Sequence, residues 1–372
     1  MTNWTRLTSF EPQAKKTETW IYSNGRTEKR HIVDVTFGKP VDILSLKLNM
    51  TEDYAASVAQ VKSSRTALFA STDLDHLEQC PVCGETADRA KEIFSVYGAP
   101  YFQCPSCSHY FIKSRPSREA LERFYGSDKS YQKTYADRRT TEIRVQQVAM
   151  PKATWMLSQY EKEFGRKPVR ILDVGAGSGH FVYACRQLGL QADGIEISES
   201  GRDFSKNVLD VELGNIDFIA QLDKIATDYD VITFWGVIEH VPFPMKMLEA
   251  AYKLLSKRDG LVIAEVPRWD CFGSSLQEQF TDSIVRHLDP LGHINCFTDS
   301  SLATAFQHNH FNIVSAWYFG MDVYELITQL AYTRKDNKII EELKRLIPPM
   351  QEDLERARFS DEMVFAARPA MN

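Results

Sequence analysis

Ile171-Leu172-Asp173-Val174-Gly175-Ala176-Gly177-Ser178-Gly179-His180-Phe181 is an apolar strand that runs into three glycines at alternate positions and then into a helix opening at His180. Glycine allows a sharp turn and close approach of a ligand to the backbone. The helix N-terminus adds free N–H groups and a partial positive charge. A nucleotide-like ligand could use such a turn. The dinucleotide fingerprint requires G-x-G-x-x-G or G-x-G-x-x-A, and His180 stands where its third small residue should be. The spacing is instead G-x-G-x-G, with Asp173 two residues before the first glycine. A carboxylate at the end of a buried strand is costly without a polar partner. A ligand carrying an ammonium group would supply one.

Outward from this turn, short apolar strands alternate with helices. Strands are read at 169–174, 191–197, 229–235 and 260–267, with helices from 180, from 200 and around 245–255. Residues 312–319 and 362–368 read as two further strands. Such alternation argues for a parallel sheet covered on both faces. The second strand ends in Gly194-Ile195-Glu196-Ile197, which places the Glu196 carboxylate at the tip of the strand next to the glycine turn. There it can accept hydrogen bonds from both hydroxyls of a ribose.

Glycine turn, Asp173 and Glu196 together resemble the class I methyltransferases that use S-adenosylmethionine (SAM). Leu213-Gly214-Asn215-Ile216 sits where that family contacts adenine, and 229–235 and 260–267 are similar to its fourth and fifth strands. The resemblance implies an α/β, doubly wound, Rossmann-like seven-stranded sheet of order 3-2-1-4-5-7-6. It also implies a SAM site of Asp173, Gly175, Gly177, Gly179, Phe181, Glu196, Ile197, Asn215, Ile216 and Trp235. The competing readings are a doubly wound domain for another nucleotide and a purely structural glycine turn. In that sheet order the connection after the sixth strand emerges on the ligand side. Residues 321–360 fill it and are expected to form a wall or lid of the substrate site.

The cysteines carry a second signal. Cys80-x2-Cys83 and Cys104-x2-Cys107 are each followed by a small residue, Gly84 and Ser108. Two such pairs converge on a tetrahedral thiolate site that suits zinc. The spacing looks like a zinc ribbon, in which a structural Zn2+ holds together a segment too short to bury a core. Four thiolates also suit an iron–sulfur cluster, and redox thiols are a further alternative. Cys185, Cys271 and Cys296 are scattered and read as ordinary residues. A zinc ribbon before a SAM domain resembles a bacterial group of sugar C-methyltransferases and surface-polysaccharide methyltransferases.

Side chains beyond the C-terminal ends of the strands are the candidates for chemistry. His240 is the first choice as general base because an imidazole titrates near neutrality; His293 and Tyr324 follow. Each has a plainer reading. Ile238-Glu239-His240-Val241 recurs in the family with a structural role, His293 could only hydrogen-bond substrate, and Tyr324 could be a helix core residue. Some methyltransferases hold a catalytic metal through Glu-x-x-Glu-His. Gly236 replaces the first glutamate here, so no second metal is expected at Glu239 and His240.

Composition narrows the rest. The 372 residues are 43% hydrophobic and 25% charged, which excludes fibrous and wholly disordered chains. A net charge of −6 gives no overall basic face for phosphates, and the charges around the cysteines are mixed, so nucleic acid is not the expected partner. No apolar run of transmembrane length and no leader pattern is read, so the expected setting is the reducing cytoplasm. The expected division is a small β-rich extension (1–75), the ribbon (76–116), linking helices (117–164) and the SAM domain (165–372). Within the extension, 41–48 is read as a half-buried strand and 53–63 as a helix. The expected activity is methyl transfer to oxygen or carbon of a small hydroxylated molecule, with a nucleotide-linked sugar or polysaccharide precursor as one candidate. The alternatives are a quinone-type O-methyltransferase, a nucleic-acid or protein methyltransferase, and a SAM-binding regulator without turnover. Oligomeric state is not legible.

Overall fold

The computed structural model describes residues 3–6, 16–24, 26–39, 41–46, 54–71, 73–117, 119–121, 140–277 and 288–370. Its strands, in chain order, are β1 (Asn3–Arg6), β2 (Thr17–Ser23), β3 (Glu28–Phe37), β4 (Leu74–His76), β5 (Lys91–Val96), β6 (Ala99–Gln103), β7 (Tyr110–Ile112), β8 (Ser114–Pro116), β9 (Arg170–Val174), β10 (Gln191–Ile195), β11 (Val231–Trp235), β12 (Leu261–Pro267), β13 (Asn295–Cys296), β14 (Phe311–Phe319) and β15 (Glu362–Pro369). The glycine-turn strand β9 pairs in parallel with β10 on one side and β11 on the other. β12 continues the parallel run, and β15 closes against it antiparallel. β11 and β12 are buried over nearly their whole length, which is why they read as unbroken apolar runs rather than as alternation.

The sheet is not the expected seven-stranded one. It has nine strands, in the order β1-β2-β3-β14-β15-β12-β11-β9-β10. The strands read as second, first, fourth, fifth, seventh and sixth do lie side by side in that order. The third is reduced to a single bridge between Ile195 and Gly214. The segment explains this: Asp210 takes a left-handed conformation with φ 54°, and Glu212, Asn215 and Asp217 face solvent. Too few apolar positions remain to build a buried strand. On the opposite edge β3 pairs in parallel with β14, and β2 and β1 follow it. β2 and β3 bury alternate residues, among them Trp20, Tyr22, Val33 and Val35, and the Trp20 ring packs edge-on to Phe365 at 5.2 Å. An apolar face of that kind needs a sheet to cover it, and the free edge of β14 provides the place.

Smaller readings also move. Of the residues read as a strand at 41–48, 47 and 48 lie outside the described residues and the rest hold a one-turn helix, Ile43–Leu46, whose Ile43 and Leu44 pack on the 323–354 cluster. The helix read at 53–63 runs from Tyr54 to Phe69. At the hairpin turn between β2 and β3, Asn24 Oδ1 accepts the N–H groups of Arg26 and Thr27; Gly25 lies outside the described residues. Ser117 Oγ caps the next helix by accepting the Ala120 N–H at 3.1 Å, while 122–139 lie outside the described residues.

Two features place material around the crest of the sheet. The segment 321–360 forms the helices Asp322–Arg334, Lys338–Leu343 and Ile347–Arg356. The first residue of the first helix, Asp322, is fully buried and accepts the N–H groups of Gly273 and Asp361 and the Gln351 amide. Strands β5, β6 and β7, which follow and flank the cysteine pairs, form a second antiparallel sheet whose fourth strand is β13. The module thereby borrows a strand from the loop that also carries His293.

Candidate active site

The glycine turn is built as its spacing demands. Gly175, Gly177 and Gly179 have φ of 72°, 55° and 76°, a region that side chains with a Cβ rarely enter. The N–H groups of Gly175 and Ala176 both bond to the Ile195 carbonyl, which pulls the turn against β10. A Cβ on Gly179 would lie 2.1 Å from Ser205 Oγ, whereas one on Gly177 would meet nothing within 4 Å. Gly179 is therefore a packing requirement, and Gly177 leaves open space for a ligand. Gly179→Ala should lose on the order of 2–3 kcal/mol of stability. Gly177→Ala should lose only about 1 kcal/mol. Thermal unfolding of the two variants checks this, and equal midpoints would contradict the assignment.

Asp173, one residue before the end of β9, is 2% exposed and accepts the Thr233 hydroxyl at 2.7 Å. Burial pushes its carboxyl up to about 7, and the Thr233 hydroxyl and Lys152 hold the rise back. Glu196 accepts the Gly177 N–H at 2.8 Å and the Ser198 N–H at 2.7 Å, so its carboxylate is fixed across the mouth of the turn. Ile197 is 74% exposed, Asn215 is exposed, and Ile216 packs partly on the core. Phe181 is buried and tilts against the Trp235 ring at 5.1 Å. Asp173, the glycines, Glu196, Phe181 and Trp235 thus line one end of the sheet.

The Lys152–Glu265 pair was missed in the sequence. Lys152 Nζ donates to Glu265 Oε1 at 2.7 Å in a buried ion pair and lies 4.9 Å from the Trp235 ring centroid. A signal existed: Lys152 sits one helical turn before Met156, on the apolar face of helix Met150–Phe164. A lysine there needs a buried partner.

On the same crest, the turn after β11 presents Glu239 and His240, and the loop before β13 presents His293. One donor atom from each lies within 4.8 Å of the others. His240 Nδ1–H donates to the Gly292 carbonyl at 2.7 Å, which leaves Nε2 facing Glu239 Oε1 at 3.5 Å. The two imidazoles are 5.0 Å apart. Burial lowers the His240 imidazole and raises the Glu239 carboxyl well above the usual carboxylate range. Tyr324 is not with them. It is buried in a separate apolar cluster with Val323, Ile327 and Ile340, and it makes no hydrogen bond to either histidine among the described residues.

The four cysteine Sγ atoms also lie within 4.8 Å of one another, with Cys80–Cys107 at 3.7 Å and Cys83–Cys104 at 3.5 Å. A tetrahedral site with Zn–S bonds of about 2.3 Å has S···S edges of about 3.8 Å. The small residues after each pair now have a reason: Gly84 and Ser108 take φ of 74° and 60° and return their N–H groups to the Cys80 and Cys104 carbonyls. These thiols could hold a metal.

Residues 146–316 match the family model described as Methyltransferase domain. The chain carries a methyltransferase domain. The ubiquinone biosynthesis O-methyltransferase of Coxiella burnetii is 31% identical over 116 residues, which are 30% of this chain and 50% of that protein. The protein of that name from Pseudomonas entomophila is 30% identical over 91 residues, 23% of this chain and 39% of that one. The chain spans about half the length, or less, of these curated relatives. A solved 1,6-didemethyltoxoflavin-N1-methyltransferase from Burkholderia thailandensis, with S-adenosylhomocysteine bound, is 16% identical with a TM-score of 0.42, covering 76% of this chain and 100% of that one. A SAM-dependent methyltransferase from Archaeoglobus fulgidus is 19% identical with a TM-score of 0.39, covering 62% and 99%. In this chain the methyltransferase domain is framed by β1–β3 on one side and the four-cysteine module on another. No helix among the described residues is long and apolar enough to cross a membrane.

Proposed function

We propose that this protein transfers the methyl group of SAM to a hydroxyl of a small molecule. One observation carries the reading: a buried Asp173 carboxylate, bonded to the Thr233 hydroxyl, lies beside a glycine turn with open space over Gly177, and Glu196 is fixed across its mouth. SAM, when bound, supplies a methyl group already activated on a sulfonium. Asp173 is placed to take its ammonium and Glu196 its ribose hydroxyls. Ile197 and Ile216 offer apolar cover for the adenine. The Trp235 indole N–H, buried without a hydrogen-bond partner among the described residues, marks the wall between donor and acceptor. The acceptor then lies against His240 and His293, which orient its hydroxyl and take its proton. We also propose that the four cysteines hold a structural Zn2+.

A quinone-type phenol is the second reading, favoured by the ubiquinone O-methyltransferase relatives. A screen of phenols, nucleotide sugars and other hydroxylated metabolites, scored by S-adenosylhomocysteine release, tests both. Glu196→Ala should weaken SAM binding at least tenfold in calorimetry. Undiminished SAM affinity in that variant, or none in the parent protein, would sink the donor-site assignment.

A further inference from the structure

The Glu239–His240–His293 cluster has a donor set the sequence pattern did not foresee. Gly236 breaks the run in which a single turn would supply every ligand. The structure brings the missing donor from elsewhere, because β13 docks on β7 and carries His293 to the crest. One carboxylate and two imidazoles, each offering an atom within 4.8 Å of the others, form the set that borderline first-row divalent cations prefer.

Three further observations point to a ligand at this cluster. Glu239 is 2% exposed, and its Oε2 has no hydrogen-bond partner among the described residues. A buried carboxylate oxygen left unpaired is costly. The Gly292 carbonyl holds the Nδ1–H of His240, which fixes the tautomer whose Nε2 lone pair faces the cluster. The backbone around both histidines is clamped as well: Tyr101 donates its hydroxyl to the His293 carbonyl, and the Asn295 amide spans the Ile238 and Val241 carbonyls. Two donor-bearing segments distant in the chain are thereby kept in one geometry.

We infer that Glu239, His240 and His293 bind a divalent cation separate from the one proposed for the cysteines. Three protein ligands leave coordination positions open. On the methyl-transfer reading above, those positions face the acceptor. They select a molecule with two adjacent oxygens, such as a vicinal diol or catechol, that can chelate the ion and present one oxygen for methylation. On this inference the histidines would orient the acceptor through the ion and would not themselves take its proton, which the ion would acidify for release to water.

The probe is Mn2+, which favours oxygen and nitrogen donors over thiolates. The full-length protein, with its cysteines zinc-loaded, is titrated with Mn2+ and followed by electron paramagnetic resonance. Saturable binding of one Mn2+ per chain is expected. His240→Ala, His293→Gln and Glu239→Gln should each weaken it at least tenfold with SAM affinity retained. Absence of saturable Mn2+ binding in the parent protein overturns the inference, as does parental affinity in all three variants. The SAM measurement keeps the two ideas apart: loss of SAM binding in the parent would remove the methyl-transfer reading and leave the Mn2+ result to stand alone.

Discussion

Asp173→Asn should abolish useful SAM binding, with a fall in affinity of at least a hundredfold, and yet stabilise the ligand-free protein above neutral pH. The reason lies in the burial of its carboxyl. An acid whose folded pKa lies above its unfolded value binds more protons folded than unfolded between the two. For Asp173 that window runs from about 4 to about 7. Stability therefore declines as pH rises through the window, and the full penalty stands above it. The displacement corresponds to at most about 4 kcal/mol. Asparagine keeps the oxygen that accepts the Thr233 hydroxyl and drops the charge. The melting temperature of the variant should exceed that of the parent at pH 8, with the gap closing toward pH 5. A lower melting temperature at pH 8 would show that the buried charge is compensated within the protein. Bound SAM should reverse the comparison, because only the parent gains an ion pair.

Cys107→Ser should disable the acceptor side and spare the donor side. Structural zinc contributes roughly 10–16 kcal/mol of binding free energy to small modules, so loss of one thiolate should unravel β5–β7. Beyond that sheet the consequences follow named contacts. His109 bonds to Asn295 and Ser301, and Arg115 to the Ile294 carbonyl and Asn295. Tyr110 stacks on Trp269 at 4.0 Å. These contacts end on the loop and strand next to His293, on the segment after β12 at Trp269, and on Ser301 in the helix Asp299–His308. Hydrogen exchange of 288–298 and 237–242 should accelerate by at least tenfold, while SAM affinity changes less than threefold. Unchanged exchange in 288–298 would mean that the cysteine module folds beside the site without holding it.

These two variants also mark what the sequence could and could not reveal. The turn around Asp173 was legible because its requirements are local: three positive φ angles, a strand and a helix within eleven residues. The central strands were legible because burial on both faces leaves continuous apolar runs. The third strand that the resemblance implied was never read from residues, and it is reduced to one bridge because Glu212 and Asn215 are too polar to be buried in a full strand. The extension that holds β2 and β3 was read as β-rich and 312–319 as a strand, but their pairing was not foreseen, since alternation shows that a face is buried without saying against what. His240 and His293 were picked singly, by residue type and by position after strands. Their meeting depends on β13 joining the cysteine sheet, and two residues of strand carry no periodicity. Lys152 escaped for a similar reason: its partner Glu265 is over a hundred residues away.

The parallel pairing of β3 with β14 also sets an order of events. Trp317 donates its indole N–H to the Gly38 carbonyl across 279 residues of chain. While the protein is being made, β2 and β3 have no sheet edge to join until β14 leaves the ribosome. Their apolar face, with Trp20 and Val33, must wait exposed or be shielded by a chaperone. The first strands synthesised are thus among the last to dock, and a stall or truncation before residue 319 would release a chain with two unpaired edges prone to aggregation.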